Sequence, residues 1–283
     1  MSYDKITIII NTFKSEDKIH QCIDSIASKV KVIVIENSDN INLKKELENK
    51  YNNIQCFLTG KNLGYAKGNN LGISKVKSEY ALVLNPDAIL ASDALDKLLT
   101  TANKLSDFAI IGPAKQNEFS KFDLNKNEDQ VFQVDSLKGF AMLLNLDQFK
   151  DTGFFDENFF IYLEEIDLCK RLKKNSKKIY LDKNVVIHHL GGSSHNEIIN
   201  YEMELSRNWH WMWSTFYFNK KHYGYFNALF SVSRKFFSSL IKLLFYSLIF
   251  NTYKKKIYLQ RFSGLFNSII GNKSWYRPKI KNN

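Results

Sequence analysis

The chain has 283 residues, 44% hydrophobic and 24% charged, enough for one large core or two domains. Its three cysteines, Cys22, Cys56 and Cys169, form no CxxC pair, which argues against a zinc module or a disulfide scaffold and fits a reducing compartment. The net charge of +11 lies in the tail: residues 1–200 carry 26 basic and 27 acidic side chains, residues 201–283 carry 14 and 2. The last acid is Glu204, leaving 79 residues without one, and such a tail attracts polyanions, meaning nucleic acid or an anionic membrane surface. No secretory signal is expected at the start, where Asp4 and Lys5 precede only a five-residue β-branched run.

That run, Ile6 to Ile10, suits a central parallel strand buried on both faces, and Asn11-Thr12 ends it. Ile19, Cys22, Ile23 and Ile26, spaced by three and four, predict a helix, and Lys31 to Ile35 a second strand, which together read as a βαβ crossover. The second strand ends in Glu36-Asn37-Ser38-Asp39. A helix over 43–51 and a strand over 54–58 lead to the loop Asn62 to Asn70, whose Gly64 and Gly68 let a backbone approach a ligand. This loop is neither a GxGxxG fingerprint nor a P-loop, so NAD binding and ATPase chemistry are poor readings.

Ala81 to Leu84 forms the next strand and halts at Asn85-Pro86, because proline lacks the donor for a further ladder rung. Asp87 then sits beyond a strand's carboxyl end, where ligands bind in open α/β sheets, and a carboxylate there suits a hard divalent cation carrying substrate phosphates. The same residues also make an ordinary turn signal. A helix over 93–105 with Ser92 as N-cap, a strand over 109–113, a polar excursion over 115–130 and a strand within 134–146 carrying Gly139 come next.

In a helix over 164–172, Glu164, Asp167 and Arg171 share one face, and Asp167 pairs with Arg171 at i, i+4. Glu165 points about 100° away, near Phe159, Phe160 and Tyr162. Apolar surroundings raise a carboxyl pKa and tune a general base. A solvated acidic helix start, favoured by the macrodipole, is the plainer alternative. Short strands over 179–181 and 185–187 end in His188-His189 and Leu190-Gly-Gly-Ser-Ser194, where a histidine either completes a metal site or serves the structure alone.

Asn11-Thr12, Glu36-Asn-Ser38, Asn62-Leu-Gly-Tyr-Ala66, Asn85-Pro-Asp87, Gly153-Phe-Phe-Asp156, Glu164-Glu-Ile-Asp167 with Arg171, and His189-Leu-Gly-Gly-Ser193 stand in the order that resembles family 2 glycosyltransferases, and nearest their bacterial rhamnosyltransferase-like branch. The resemblance covers nearly the whole chain, including Arg261-Phe-Ser-Gly-Leu265 and Lys273-Ser-Trp-Tyr-Arg-Pro278. It implies an inverting, metal-dependent enzyme with an α/β fold of the GT-A, Rossmann-like type: a mainly parallel sheet flanked by helices. Residues 1–200 would form that catalytic domain, and 201–283 a helical, amphipathic, membrane-associating extension.

By the same resemblance, Thr12, Glu36, Asn62, Gly64, Asn85, Gly139 and Arg171 would serve the nucleotide-sugar donor, with Glu36 on the base or ribose. Asp87 would ligate Mg²⁺ or Mn²⁺ on the diphosphate, with His189 or His188 as a further ligand. Glu165 would be the base that deprotonates the acceptor hydroxyl. Three positions depart from the family pattern. Glu36 stands for the usual aspartate, Asn85-Pro-Asp87 offers one carboxylate where many relatives have Asp-x-Asp, and Glu165 stands for aspartate, so the base could move to Glu164 or Asp167. The implied acceptor is a saccharide on a polyprenyl diphosphate, and dTDP-rhamnose is the donor suggested by the branch.

In the tail, Arg207 to Trp213 opens an aromatic-rich region, and an apolar stripe runs through Phe236, Phe237, Leu240, Leu243, Leu244 and Leu248, with Lys235, Ser239 and Lys242 opposite. A spanning helix needs about 20 mainly apolar residues, and Arg234, Lys235 and Lys242 break that window. The pattern favours an in-plane helix on anionic headgroups, anchored further by Lys254-Lys-Lys256; the resemblance implies the cytoplasmic face of the inner membrane. A helix packed on the body or a homodimer interface would use the same residues. Basic residues beside long apolar stripes, rather than along one stacking groove, weigh against nucleic acid. An inactive sugar-binding relative is a further reading, raised by the three departures.

Overall fold

The β-branched run near the amino terminus becomes strand β1 (Ile6–Thr12), whose Ile8, Ile9 and Ile10 are fully buried. Successive side chains of a strand face opposite ways. Ile8 and Ile10 therefore enter one apolar layer and Ile9 the other, so the central strand seeds both halves of the core. The computed structural model describes residues 3–105, 107–114, 130–189 and 197–280. Residues 115–129 of the polar excursion and 190–194 of the histidine motif lie outside the described residues.

Chain packing divides the molecule into two compact units, residues 1–155 with 165–194, and residues 156–164 with 195–283. In the first, β1 is followed by α1 (Glu16–Asp24), β2 (Lys31–Glu36), α2 (Ile41–Lys50), β3 (Ile54–Leu58), α3 (Gly64–Ile73), β4 (Tyr80–Leu84), β5 (Ala88–Leu90) and α4 (Ala94–Lys104). Then come β6 (Phe108–Pro113), β7 (Val131–Gln133), β8 (Ala141–Asn145), α5 (Glu164–Lys174), β9 (Lys178–Asp182) and β10 (Ile187–His189). Eight strands form one sheet in the order β3-β2-β1-β4-β8-β6-β9-β7, and β10 pairs with β5 in a separate two-stranded ribbon.

The β3-β2-β1-β4 half is parallel, as the crossovers require. Strand β8 runs antiparallel to both β4 and β6, so the sheet is mixed rather than doubly wound throughout. The strand expected within 134–146 shrinks to β8, which places Gly139 in the turn before it. Ser92 is not a cap: Asp93 holds the N-cap position of α4 and makes no side-chain cap bond. Asn40 caps α2 instead, its Oδ1 accepting the Leu43 amide at 3.0 Å.

Most of the expected Asn62–Asn70 loop is helix α3. A Cβ on Gly68 would stand 2.4 Å from Asn11 Nδ2, and one on Gly72 would stand 2.4 Å from Ile9 Cγ2. These glycines let α3 lie close against β1; the backbone they bring close is the sheet's own.

The second unit holds α6 (Glu197–Tyr223), α7 (Tyr225–Leu248) and α8 (Thr252–Ile269), packed on one another. Met212, Phe216, Ala228, Val232 and Leu265 form one core cluster, and Leu205, Trp209, Trp213 and Tyr276 another. Helices α6 and α8 meet at Gly264, where a Cβ would stand 2.2 Å from the Trp209 carbonyl oxygen. The stripe expected on α7 splits. Phe236 packs on Phe262 at 5.1 Å and Ser239 is buried, whereas Phe237, Leu244 and Leu248 face outward. With Phe226, Phe230 and Ile241 they make one continuous exposed stripe, 83%, 86% and 77% exposed at Phe226, Phe230 and Leu248. Among the described residues, no helix is long and apolar enough to cross a membrane.

Candidate active site

Strand β4 ends at Leu84, and the next residues bend the chain into β5. The Asn85 amide donates to the Phe140 carbonyl at 2.8 Å, and the Ala88 amide to the Asn85 carbonyl at 3.1 Å, which fixes the bend. The β5–β10 ribbon sets His189 opposite Ala88, so His189 Nε2 lies 3.2 Å from Asp87 Oδ1. Asn85 Nδ2 stands 3.4 Å from the same nitrogen, and the His189 ring stacks on Phe140 at 4.9 Å. His188 pairs opposite Ile89 and is exposed, because side chains alternate along a strand; only His189 joins Asp87.

Asp87 is 7% exposed. Burial pushes its carboxyl up, but the hydrogen bond and charge of His189, with the nearby Lys18 ammonium, outweigh it, and the carboxyl titrates below its ordinary value. An oxygen and an imidazole nitrogen converging in this way fit a divalent cation whose other ligands are phosphate oxygens and water. Among the described residues, no group of three or more His, Cys, Asp or Glu side chains could hold a metal unaided.

Glu165 lies in the first turn of α5. Burial pushes its carboxyl up; the amides of Glu165 and Ile166 and the charge of Lys138 oppose this without offsetting it. A Cβ on Gly139 would stand 3.5 Å from Glu165 Cβ and 3.1 Å from the Tyr65 hydroxyl, which donates to the Gly139 carbonyl. Gly139 thus faces Glu165, and its neighbour Phe140 carries His189 and accepts the Asn85 amide. Adjacent Cα atoms are about 3.8 Å apart, so one turn joins the candidate base to the candidate metal pair. A cavity of about 230 Å³ opens beside this turn, lined by Ser136, Lys138, Phe140 and Ile166 among others. A larger one of about 440 Å³, lined by Thr7, Lys31 and Ser78, lies at the amino-terminal ends of β1 and β2, away from this chemistry.

The remaining candidates serve the frame around this turn. Glu36 is fully buried. Its Oε1 accepts the Ser38 amide at 3.0 Å and the Ser38 hydroxyl, and its Oε2 accepts the Asn40 amide at 2.6 Å, so the carboxylate organises its own turn. Asn62 Oδ1 accepts the Gly64 amide at 3.0 Å, and Gly64 opens α3 at φ +80°. Asp167 is fully buried and takes Arg171 Nε at 2.7 Å, while the guanidinium reaches the carbonyls of Thr152, Gly153 and Phe154. Both side chains are committed to clamping that turn. Glu164 is buried at the start of α5. Thr12, at the end of β1, is buried with an Oγ1 that has no hydrogen-bond partner among the described residues.

Sequence reasoning passed over Tyr65, Phe140 and Lys18. Tyr65 stood inside the quoted Asn62–Ala66 motif. It also passed over Asn37, whose Nδ2 donates to Asn11 Oδ1 at 2.5 Å and whose Oδ1 accepts the Leu63 amide at 3.2 Å, tying β1, β2 and α3 together. Polar residues at the ends of adjacent parallel strands were the available signal.

Comparison with known proteins agrees with this architecture. The family model described as Glycosyl transferase family 2 matches residues 7–169. The chain is 28% identical over 199 residues to the low-salt glycan biosynthesis hexosyltransferase Agl10 of Haloferax volcanii, covering 62% of this chain and 64% of that one. It is 26% identical over 203 residues to the rhamnosyltransferase WbbL of Escherichia coli, covering 59% and 76%. It is 23% identical over 209 residues to an N-acetylglucosaminyl-diphospho-decaprenol L-rhamnosyltransferase of Mycobacterium tuberculosis, covering 58% and 68%. Among solved structures, the mannosyltransferase PcManGT of Pyrobaculum calidifontis, in complex with GDP-Man and Mn²⁺, superposes with a TM-score of 0.59 at 11% identity, over 94% of this chain and 87% of that one. The S. aureus TarS fragment 1–349 gives 0.53 at 14% identity, over 96% and 93%. At these identities the structures speak to the fold alone, which is the GT-A arrangement.

Proposed function

The chain belongs to glycosyl transferase family 2, and from that premise we propose that it is an inverting glycosyltransferase moving a sugar from a nucleotide donor to a lipid-linked saccharide. The observation that carries this reading is the turn at Gly139-Phe140, which sets the half-buried Glu165 and the Asp87–His189 pair on adjacent residues. Glu165 Oε takes the proton of the acceptor hydroxyl, and the oxygen attacks the anomeric carbon on the side opposite the nucleotide, which inverts its configuration. The raised pKa of Glu165 matches it better to a weakly acidic hydroxyl than an exposed glutamate would be. Glu164 and Asp167, the other candidate bases, are buried, and Asp167 is held by Arg171. Asp87 and His189 would hold Mg²⁺ or Mn²⁺. Such an ion, when bound, neutralises charge on the departing diphosphate.

The donor we propose is dTDP-rhamnose, supported by the rhamnosyltransferases among the relatives. The acceptor is a saccharide on a polyprenyl diphosphate, in the synthesis of bacterial surface polysaccharide such as O-antigen or capsule. The M. tuberculosis relative, whose name carries a diphospho-decaprenol, supports this choice. The outward stripe of α7, in a stretch that carries no acid after Glu204, supports peripheral attachment to an anionic membrane at its cytoplasmic face. The test is nucleoside diphosphate release from a panel of nucleotide sugars with Mn²⁺ or Mg²⁺ and then EDTA, with a polyprenyl-diphosphate saccharide as acceptor. Metal-dependent release from one donor, lost in Asp87→Ala, supports the reading. Release indifferent to both metal and Asp87 overturns the assignment of the site.

A further inference from the structure

We infer that one face of helix α6 positions the base Glu165, by gripping the segment Asp156–Tyr162 and holding the strained turn from which α5 starts. The role of Glu165 rests on the transferase reading above, whereas the grip rests on separate residues. His210, Ser214, Tyr217 and Lys221 stand at i, i+4, i+7 and i+11 of α6, which puts them in one row along the helix. Each of the four holds the segment. His210 stacks on Phe160 at 4.5 Å, and the Ser214 hydroxyl donates to the Ile161 carbonyl at 3.0 Å. The Tyr217 ring meets Phe159 edge-on at 4.9 Å, and its hydroxyl donates to Asp156 Oδ2 at 3.0 Å. Lys221 Nζ donates to the same oxygen at 2.7 Å. Trp211, beside His210, adds an edge-on contact to the Tyr162 ring at 5.5 Å. Four consecutive residues, Phe159 to Tyr162, are thus held by α6, and Asp156 ties down the start of the segment.

The held segment ends in strain. Tyr162 and Leu163 adopt φ of +75° and +70°, the left-handed region that residues with a side chain rarely enter. Two in succession persist only where the surroundings over-determine them, and the row on α6 supplies that constraint. A seam that only packed the helical unit would have no need of a left-handed exit. Helix α5 begins at the next residue, Glu164, and Glu165 follows. Leu163 has no side-chain oxygen to cap the first amides of that helix, so the held backbone, rather than a side-chain cap, sets where α5 begins. Glu165 leans on amides of that first turn, its own and that of Ile166. A shift in the start of the helix therefore moves the base and its hydrogen bonds together. Misplacing a reacting group by about 1 Å can cost about 10²-fold in rate. His210, Trp211 and Ser214 are accordingly positioning residues: they act on the reaction only through Glu165.

The test pairs amide hydrogen exchange with steady-state kinetics on the full chain, in Ser214→Ala, Trp211→Ala and Trp211→Phe, with Glu165→Gln as reference. Ser214→Ala removes one hydrogen bond at nearly constant volume, and Trp211 is 40% exposed, so the fold should survive either change, which thermal melts check. Peptides spanning 159–168 should exchange faster in Ser214→Ala and Trp211→Ala, while those of β1 and α8 keep the wild-type rate. In the same two variants kcat should fall about tenfold, with the KM for the nucleotide sugar within about twofold. Trp211→Phe keeps a ring beside Tyr162 and should recover most of kcat. Exchange unchanged in both alanine variants overturns the grip. Turnover that Glu165→Gln abolishes but both alanine variants leave intact overturns its role in positioning the base. A wild type that releases no nucleoside diphosphate is a failure of the transferase reading instead, and the exchange rates, which need no donor, still decide the grip.

Discussion

The α/β unit and the helical unit treat the same kinds of residue in opposite ways. In the first, the aliphatic runs of β1, β2 and β4 vanish into two core layers, and polar side chains at the strand ends bond one another, as Asn11, Asn37, Glu36 and Asp87–His189 show. In the second, a small core of Met212, Phe216, Val232 and Leu265 coexists with aromatic and aliphatic residues left outward along α7. A sheet crossed by helices on both faces has little apolar surface to spare. Three helices packed on one another bury only one face each and leave the other outward. The first unit thus encloses its polar strand ends, and the second leaves apolar side chains of α7 exposed.

The largest expected effect lies in the first unit. Asp87→Ala should cut nucleoside diphosphate release by about 10³-fold, the loss typical when a group stabilising transition-state charge is removed. Its thermal unfolding should change far less than its activity. Glu165→Gln should lower kcat by about 10²–10⁴-fold, the range for a general base. Because burial raises Glu165, the acid limb of the wild-type pH–rate profile should sit above the ordinary glutamate value of about 4.3. Activity is retained above that limb and lost as pH falls through it; a limb at or below 4.3 counts against Glu165 as the base.

Stability separates the units next. Gly264→Ala forces a methyl onto the Trp209 carbonyl, and Gly72→Ala forces one onto the Ile9 side chain. Overpacking costs about 1–3 kcal/mol, and the helical variant should sit at the upper end, since backbone gives way less easily than Ile9 Cγ2. Denaturant melts check this, followed by tryptophan fluorescence for Gly264→Ala, since all four tryptophans lie in the helical unit, and by far-UV circular dichroism for Gly72→Ala. Acid sharpens the contrast. His210 is held neutral down to about 3, whereas an unfolded histidine protonates near 6.5. The unfolded chain therefore binds the extra proton, and its contribution to stability, present above 6.5, is lost as pH falls toward 3. The slope should approach about 1.4 kcal/mol per pH unit and flatten in His210→Asn.

The smallest effect on turnover should come from the outward stripe. Phe230→Glu with Leu248→Glu should abolish flotation with anionic vesicles while leaving turnover of a short soluble acceptor within about twofold, since exposed substitutions rarely disturb a fold. Flotation that persists would place the attachment elsewhere.

The amino-acid sequence by itself determined the strands β1, β2 and β4, the βαβ order and the basic tail, because hydrophobic period and charge are local properties that survive without a structure. The motif order, through the resemblance, set Asp87 with His189 or His188, and only the register of the β5–β10 ribbon brings His189 rather than His188 to Asp87. Tertiary structure alone decided that β8 enters antiparallel, that Gly68 and Gly72 serve helix packing, and that Ser239 turns inward on α7. Each depends on what stands opposite in space, which no spacing encodes. The same holds for Glu36 and Arg171, whose charges point to ligands in the sequence yet are satisfied by nearby amides and carbonyls in the fold. It holds as well for the Gly139-Phe140 turn, where residues unremarkable in the chain meet Glu165 and His189 only because α5 and the β5–β10 ribbon converge on it.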